Sequence, residues 1–208
     1  MPQLLKRIVA IIRRFVYHSQ RWLIVYSPSG GPPAADRVGD ITYRVATSAD
    51  LDRLQELERY GRGATHRRYV ERDNDWLFLA CHGDRIVATR RGSRVIRDSV
   101  IARVIQLGPD QYWGADVFCL PEYRGQGIAR HLQAFGDRYC ASLGYKDRLG
   151  TISATNTASI NMNRATGTQP LYYVVHTRIF FWESLRVTKD IPKRVWGGAT
   201  REPPRPSS

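Results

Sequence analysis

The chain has 208 residues, 42% of them hydrophobic and 25% charged, the composition of a soluble globular domain with extensions, which excludes a fibrous or wholly disordered polymer. No apolar run approaches the roughly 20 residues of a membrane-spanning helix; Ile8–Ile12 is closed off by Arg13 and Arg14. Of the formal net charge of +13, the ends carry most: residues 1–27 hold five basic side chains and no acid, residues 186–208 six and two, and residues 28–185 only 21 against 17, so nucleic acid is not the expected partner of the body.

The first segment, 1–27, places Leu4, Leu5, Ile8, Ile11, Ile12 and Phe15 at helical spacing, with Lys6, Arg7, Arg13 and Arg14 on the other side. Such a basic amphipathic helix either lies on an anionic membrane surface or packs on the domain or on a second subunit of a homodimer. The double arginine argues against a cleaved signal peptide. Arg21–Tyr26 reads as a strand, and the Pro-, Gly- and Ser-rich stretch 28–39 as a linker. Ile41–Val45 alternates as a strand, and Thr47 opens a capping box with Asp50 ahead of Leu51, Leu54, Leu57 and Tyr60 at helical spacing. Trp76–Cys81 and Ile86–Thr89 flank the turn His82–Arg85, a hairpin pattern. Ile101–Ile105 is a further strand candidate, and Tyr112–Leu120 a long apolar strand with one acid, Asp116. Residues 171–182 supply closing strands, whereas 186–208, with few apolar residues, is expected to be disordered. Cys81, Cys119 and Cys140 form no CxxC pair; they fit buried thiols in a reducing, cytoplasmic compartment and no metal site.

Pro121 ends the long strand, and Ile128, Leu132, Phe135 and Tyr139 then mark one helix face. Between them lies Arg124-Gly125-Gln126-Gly127-Ile128-Ala129. A glycine-rich turn between strand and helix exposes backbone N–H groups at a helix N-terminus, where an anion such as a pyrophosphate is stabilised. The spacing is neither GxxxxGK[ST] nor GxGxxG, since position 130 is arginine.

The stretch Pro121–Ala129 resembles the acetyl-CoA-binding motif Arg/Gln-x-x-Gly-x-Gly/Ala of the GCN5-related N-acetyltransferases, with Arg124, Gly127 and Ala129 at its defining positions. Asn156–Gly167 resembles the family's second pattern, and the similarity covers roughly 40–185. The resemblance implies an α+β fold with a mixed, mostly antiparallel central sheet flanked by helices. It also implies acetyl-CoA as acyl donor, with pantetheine along Phe118, Cys119 and Leu120, pyrophosphate on the N–H groups of residues 124–129, and Asn156 and Ser159 on the second motif. The reaction implied is acetyl transfer to a primary amine, on a small molecule or a protein, by direct attack in a ternary complex. The alternative is a non-catalytic CoA-binding module at a membrane surface or on a partner.

Acetyl transfer needs a neutral amine, oxyanion stabilisation and a proton for the thiolate. Relatives often carry a tyrosine where this chain has Asn163, which can hydrogen-bond sulfur but is no acid; Tyr172 and Tyr173 follow, and water could also serve. The glutamate that relatives place in the preceding strand is absent, and Asp116 is the carboxylate available there, as base, amine ligand or plain polar strand residue.

Overall fold

In the computed structural model, which describes residues 17–28, 36–61 and 63–197, the segments of alternating hydrophobicity pair mainly with their neighbours in sequence. After β1 (Tyr17–Pro28) come β2 (Arg37–Val38), β3 (Ile41–Val45), β4 (Asp75–His82), β5 (Arg85–Ser93), β6 (Gln111–Cys119) and β7 (Asp147–Ser153). The described residues form two compact units, one within 26–150 and one of residues 17–25 with 151–197.

In the first unit the strand order is β2-β3-β4-β5-β6-β7. Every pair is antiparallel except β6 with β7, whose parallel ladder covers only Gln111–Gly114 against Asp147–Gly150. Among the described residues the strands are accompanied by the helices α1 (Leu51–Gln55), α2 (Gly63–Val70), α3 (Ser99–Ala102) and α4 (Ile128–Ser142). This is the α+β arrangement with a mixed, mostly antiparallel sheet. Its core joins Phe78, Leu79, Val87 and Ala88 of the central strands to Leu54 and Leu57 and to Ile128, Leu132 and Phe135 of α4.

The capping box forms: the Asp50 carboxylate accepts from the Thr47 N–H at 2.9 Å and is gripped by Arg44 at 2.6 and 2.5 Å. The predicted helix is α-helical only to Gln55, and a 3-10 turn, Glu56–Tyr60, carries it to Gly61. The Arg44 hydrogen bonds outweigh burial and hold the Asp50 carboxyl below its ordinary value. A carboxylate with a lowered folded pKa adds stability above its unfolded pKa, and that stability is lost as pH falls through the folded value. Asp50→Ala should therefore cost about 1–3 kcal/mol at pH 7. Urea melts at pH 7 and pH 3 should show the difference from the native protein shrinking at the lower pH.

Ile101–Ile105, expected as a strand, instead begins within helix α3. Asp98 supplies the reason: its Oδ1 accepts from the N–H groups of Val100 and Ile101 at 2.9 and 3.0 Å, and this cap overrides the β preference of Val100 and Ile101. Helix α4 also buries polar residues. The Arg90 guanidinium, 1% exposed, donates to Asp137 Oδ1 at 2.7 Å, to the Tyr112 hydroxyl at 3.0 Å and to the Gln133 carbonyl at 3.0 Å. Arg148 Nε lies 3.3 Å from the same Asp137 oxygen, and the Tyr112 hydroxyl also donates to it.

In the second unit, β8 (Gln169–Ile179) and β9 (Trp182–Thr188) form an antiparallel hairpin with α5 (Thr157–Ala165) and α6 (Lys193–Trp196). Leu23, Val25, Ile152, Ile160, Tyr173 and Trp196 make its core. The expected disorder of 186–208 is therefore corrected for its first part: β9 runs to Thr188, and Ile191, Val195 and Trp196 provide enough apolar surface to anchor α6. The strand expected at Arg21–Tyr26 is the middle of β1, with Leu23, Ile24 and Val25 buried. The amphipathic pattern at 4–15 lies outside the described residues. The stretch expected as linker, 28–39, contains at its end β2, which pairs with β3.

Candidate active site

Strand β6 carries an irregularity where chemistry is expected. Ala88 faces Cys119 and Thr89 faces Phe118, but Arg91 faces Ala115, so β6 holds an extra residue, a β-bulge. Asp116 sits in it at φ +53°, a left-handed conformation that costs a non-glycine residue roughly 1 kcal/mol. Its carboxylate pairs with Arg91 at 3.0 Å, and the Arg91 guanidinium lies 4.4 Å from the centre of the Tyr69 ring. Beyond the bulge the Leu120 N–H bonds the Val87 carbonyl at 2.9 Å. Because antiparallel residues alternate in direction, the N–H and C=O of Cys119 face away from β5, toward the edge of β6 beyond its ladder with β7. Arg124 Nε occupies that carbonyl at 3.1 Å. Burial pushes the Cys119 thiol up, so it stays protonated at neutral pH.

The turn after β6 is pinned from the neighbouring hairpin. His82 Nδ1 lies 2.9 Å from the Tyr123 hydroxyl, and Arg85 donates to Glu122 at 2.7 Å. Glu122's own backbone N–H, followed by Arg85, holds its exposed carboxyl below the ordinary value. Arg124 is extended, Gly125 and Gly127 both have φ +77°, and Gly127 is the N-cap of α4. Among the described residues, no acceptor meets the N–H groups of Gly125, Gln126 and Gly127, and helix geometry leaves those of Ile128 and Ala129 without intrahelical partners. A Cβ on Gly125 would meet nothing within 4 Å, and one on Gly127 would first meet His131 at 3.8 Å and Arg130 at 3.9 Å. The space over the loop is open, lined by N–H donors and bordered by Arg130. Gln126 turns its side chain back to the Glu122 carbonyl. A diphosphate fits this donor set.

The remaining predicted residues belong to the second unit. Asn156 caps α5, its Oδ1 accepting from the Ser159 N–H at 3.0 Å. Asn163 is buried; its amide donates to the Ser159 carbonyl at 2.9 Å and its Oδ1 accepts from Thr168 at 3.4 Å. Tyr172 is half-buried on β8. His176, also on β8, stacks on Trp22 at 6.1 Å and bonds Glu183 at 3.1 Å. Sequence reasoning missed Arg91, Tyr69 and the contact of Tyr60 with Phe118, whose ring centres lie 5.4 Å apart. The Arg91–Asp116 pair forms at the bulge, where Arg91 faces Ala115, and no periodicity signals a bulge.

Residues 44–167 match the family model described as the acetyltransferase (GNAT) family. Among solved structures, the aminoglycoside N-acetyltransferase AAC(6')-Iy, in complex with a CoA-containing bisubstrate analogue, is similar with a TM-score of 0.51 at 17% identity, over 62% of this chain and 90% of that one. A GNAT-family protein from Novosphingobium aromaticivorans is similar with a TM-score of 0.57 at 17% identity, over 84% of this chain and 66% of that one. A functionally unknown conserved protein from Staphylococcus epidermidis gives 0.58 at 12% identity, over 89% and 68%. No curated protein gives a significant sequence match. At these identities the structures speak for the fold, and the family model, which spans more than half the chain, for descent: the chain belongs to the GNAT family of acetyltransferases, which use acetyl-CoA.

Proposed function

We propose that the chain transfers the acetyl group of acetyl-CoA to a primary amine, on a small molecule or a protein, by direct attack in a ternary complex. The observation that carries this reading is the open, donor-lined loop at the head of α4, directly after a bulged strand. In this reading the 124–129 loop holds the pyrophosphate through the N–H groups of residues 125–129, since that of Arg124 donates to the Pro121 carbonyl at 3.2 Å, with pantetheine along Phe118, Cys119 and Leu120. The amine nitrogen attacks the thioester carbonyl carbon, the C–S bond breaks, and the nitrogen's proton leaves as the thiolate gains one. The edge-facing Cys119 N–H stabilises the oxyanion. Asp116, already paired with Arg91, serves as a ligand that attracts the acceptor's ammonium rather than as a free base. Tyr172 returns a proton to the thiolate. Asn156, Ser159 and Asn163 position α5, with Asn163 as its buried strut. The aminoglycoside acceptor of the similar AAC(6')-Iy favours a polar amine. The proposed setting is the cytoplasm, with residues 1–27 at the inner membrane face.

A purified-protein assay of CoA thiol release against an amine panel tests this reading. Amine-dependent release is expected, reduced about tenfold to a hundredfold in Asp116→Asn and Tyr172→Phe. The pairing of Asp116 with Arg91 favours one other reading, a domain that binds CoA without turnover. CoA binding with no release for any amine would establish that reading and overturn ours.

A further inference from the structure

The β8–β9 hairpin ends in Ile179-Phe180-Phe181-Trp182, and all four side chains are exposed. Phe181 is 102% exposed, Phe180 62% and Trp182 55%, so the tip contributes nothing to a core. Hairpin turns of two residues favour Gly, Asn or Asp where φ is positive. Here the first turn residue is Phe180, at φ +52°. The turn therefore gives up backbone stability and also holds three consecutive aromatics in water, a local cost with no compensation inside the fold.

We infer that this tip is a membrane-inserting element that docks the chain on an anionic lipid bilayer. Shape favours lipid over protein: a convex tip with a fully exposed ring covers little of a flat protein surface but can sink entirely into the acyl boundary. Aromatic side chains, tryptophan above all, are the residues that partition to that interface. Charge selects the kind of membrane. Among the described residues, the unit that carries the hairpin, 17–25 with 151–197, holds seven basic and two acidic residues, whereas those of 26–150 hold 18 and 16. At the tip itself Arg178 faces Glu183 across the hairpin, both exposed, so the attraction to anionic headgroups comes from the basic excess of the unit rather than from the tip. Apolar insertion plus electrostatic attraction supplies the two signals that stable peripheral binding requires. The inference stands independently of acetyl transfer.

Co-sedimentation of the full chain with vesicles of phosphatidylcholine, alone or mixed with phosphatidylglycerol, tests it. Binding is expected to the mixed vesicles, weakened by salt, and at least about tenfold weaker in a Phe180→Ser, Phe181→Ser, Trp182→Ser variant. That variant should nearly keep the native melting temperature, because none of the three side chains belongs to a core cluster and Phe181 is fully exposed. Trp182→Phe keeps the apolar tip and supplies a second readout. Brominated lipids should quench part of the native protein's tryptophan emission, and that part should vanish in Trp182→Phe while binding persists. Equal vesicle binding by the triple-serine variant would overturn the inference, as would no binding by the native chain at low salt. Self-association that the serine variant abolishes, without vesicle binding, would overturn it in favour of a contact between copies.

Discussion

Gly127→Glu should weaken CoA binding by at least about 100-fold, about 2.8 kcal/mol, while leaving a folded protein. The carboxylate would stand on the N-cap residue of α4, over the N–H groups proposed to meet a pyrophosphate, and opposing like charges at close range costs several kcal/mol. Two effects have to be separated. The first is backbone strain: at φ +77° any side chain costs about 1 kcal/mol. The second is the charge itself. Steric conflict is small, since the nearest atom to a Cβ is His131 Cδ2 at 3.8 Å. Gly127→Ala carries the strain without the charge and should weaken binding much less. Titration calorimetry with CoA, together with thermal melts, separates the cases. If the glutamate and alanine variants bind CoA within a fewfold of each other, the anion does not sit on this loop. If both bind like the native chain, the cofactor site lies elsewhere.

The parts of the site that rest on local rules were legible in the sequence. Pro121, the two glycines and the apolar stripe from Ile128 place a helix N-terminus after a strand, and the structure builds that helix from Ile128. The capping box at Thr47 and Asp50 and the turn at His82–Arg85 are equally local, and they form as the residues predict. Arg44's grip on Asp50 was not legible, because it joins residues on separate elements.

What stayed hidden depends on register and on buried charge. The apolar run Tyr112–Leu120 says nothing of an extra residue, so it could not show that Asp116 would take a left-handed conformation and pair with Arg91. The stripe on α4 was read correctly as apolar, but Gln133 and Asp137 are buried as well. A polar residue on a helix normally marks the wet face; here Arg90, from the middle of a central strand, overrides that rule by bringing its own charge into the core. Ile191 and Trp196 illustrate the opposite error. A stretch with few apolar residues was taken as disordered, yet those few suffice to close the core of the second unit.

Asp137→Asn should cost about 3–5 kcal/mol of stability, more than Arg90→Met. Arg90 and Arg148 both approach Asp137 Oδ1, at 2.7 and 3.3 Å, and all three residues are at least nine-tenths buried. Tyr112 does not supply a second anion, because burial pushes its hydroxyl well above the ordinary value. Burial works against the Arg90 charge, but Tyr112 and Asp137 outweigh it, and the guanidinium stays protonated. Asparagine matches aspartate in shape but removes the carboxylate that both guanidinium groups approach, whereas methionine at 90 removes one guanidinium and keeps Asp137 beside Arg148. Against a typical total of about 5–15 kcal/mol, the first loss is severe and the second moderate. Urea unfolding at pH 7 measures both, and the reverse order would show that packing, not charge, rules the cluster. Asp137 lies ten residues beyond Gly127, about 15 Å along the helix. CoA affinity of the folded fraction of Asp137→Asn should therefore stay within a fewfold of native, the opposite pattern to Gly127→Glu.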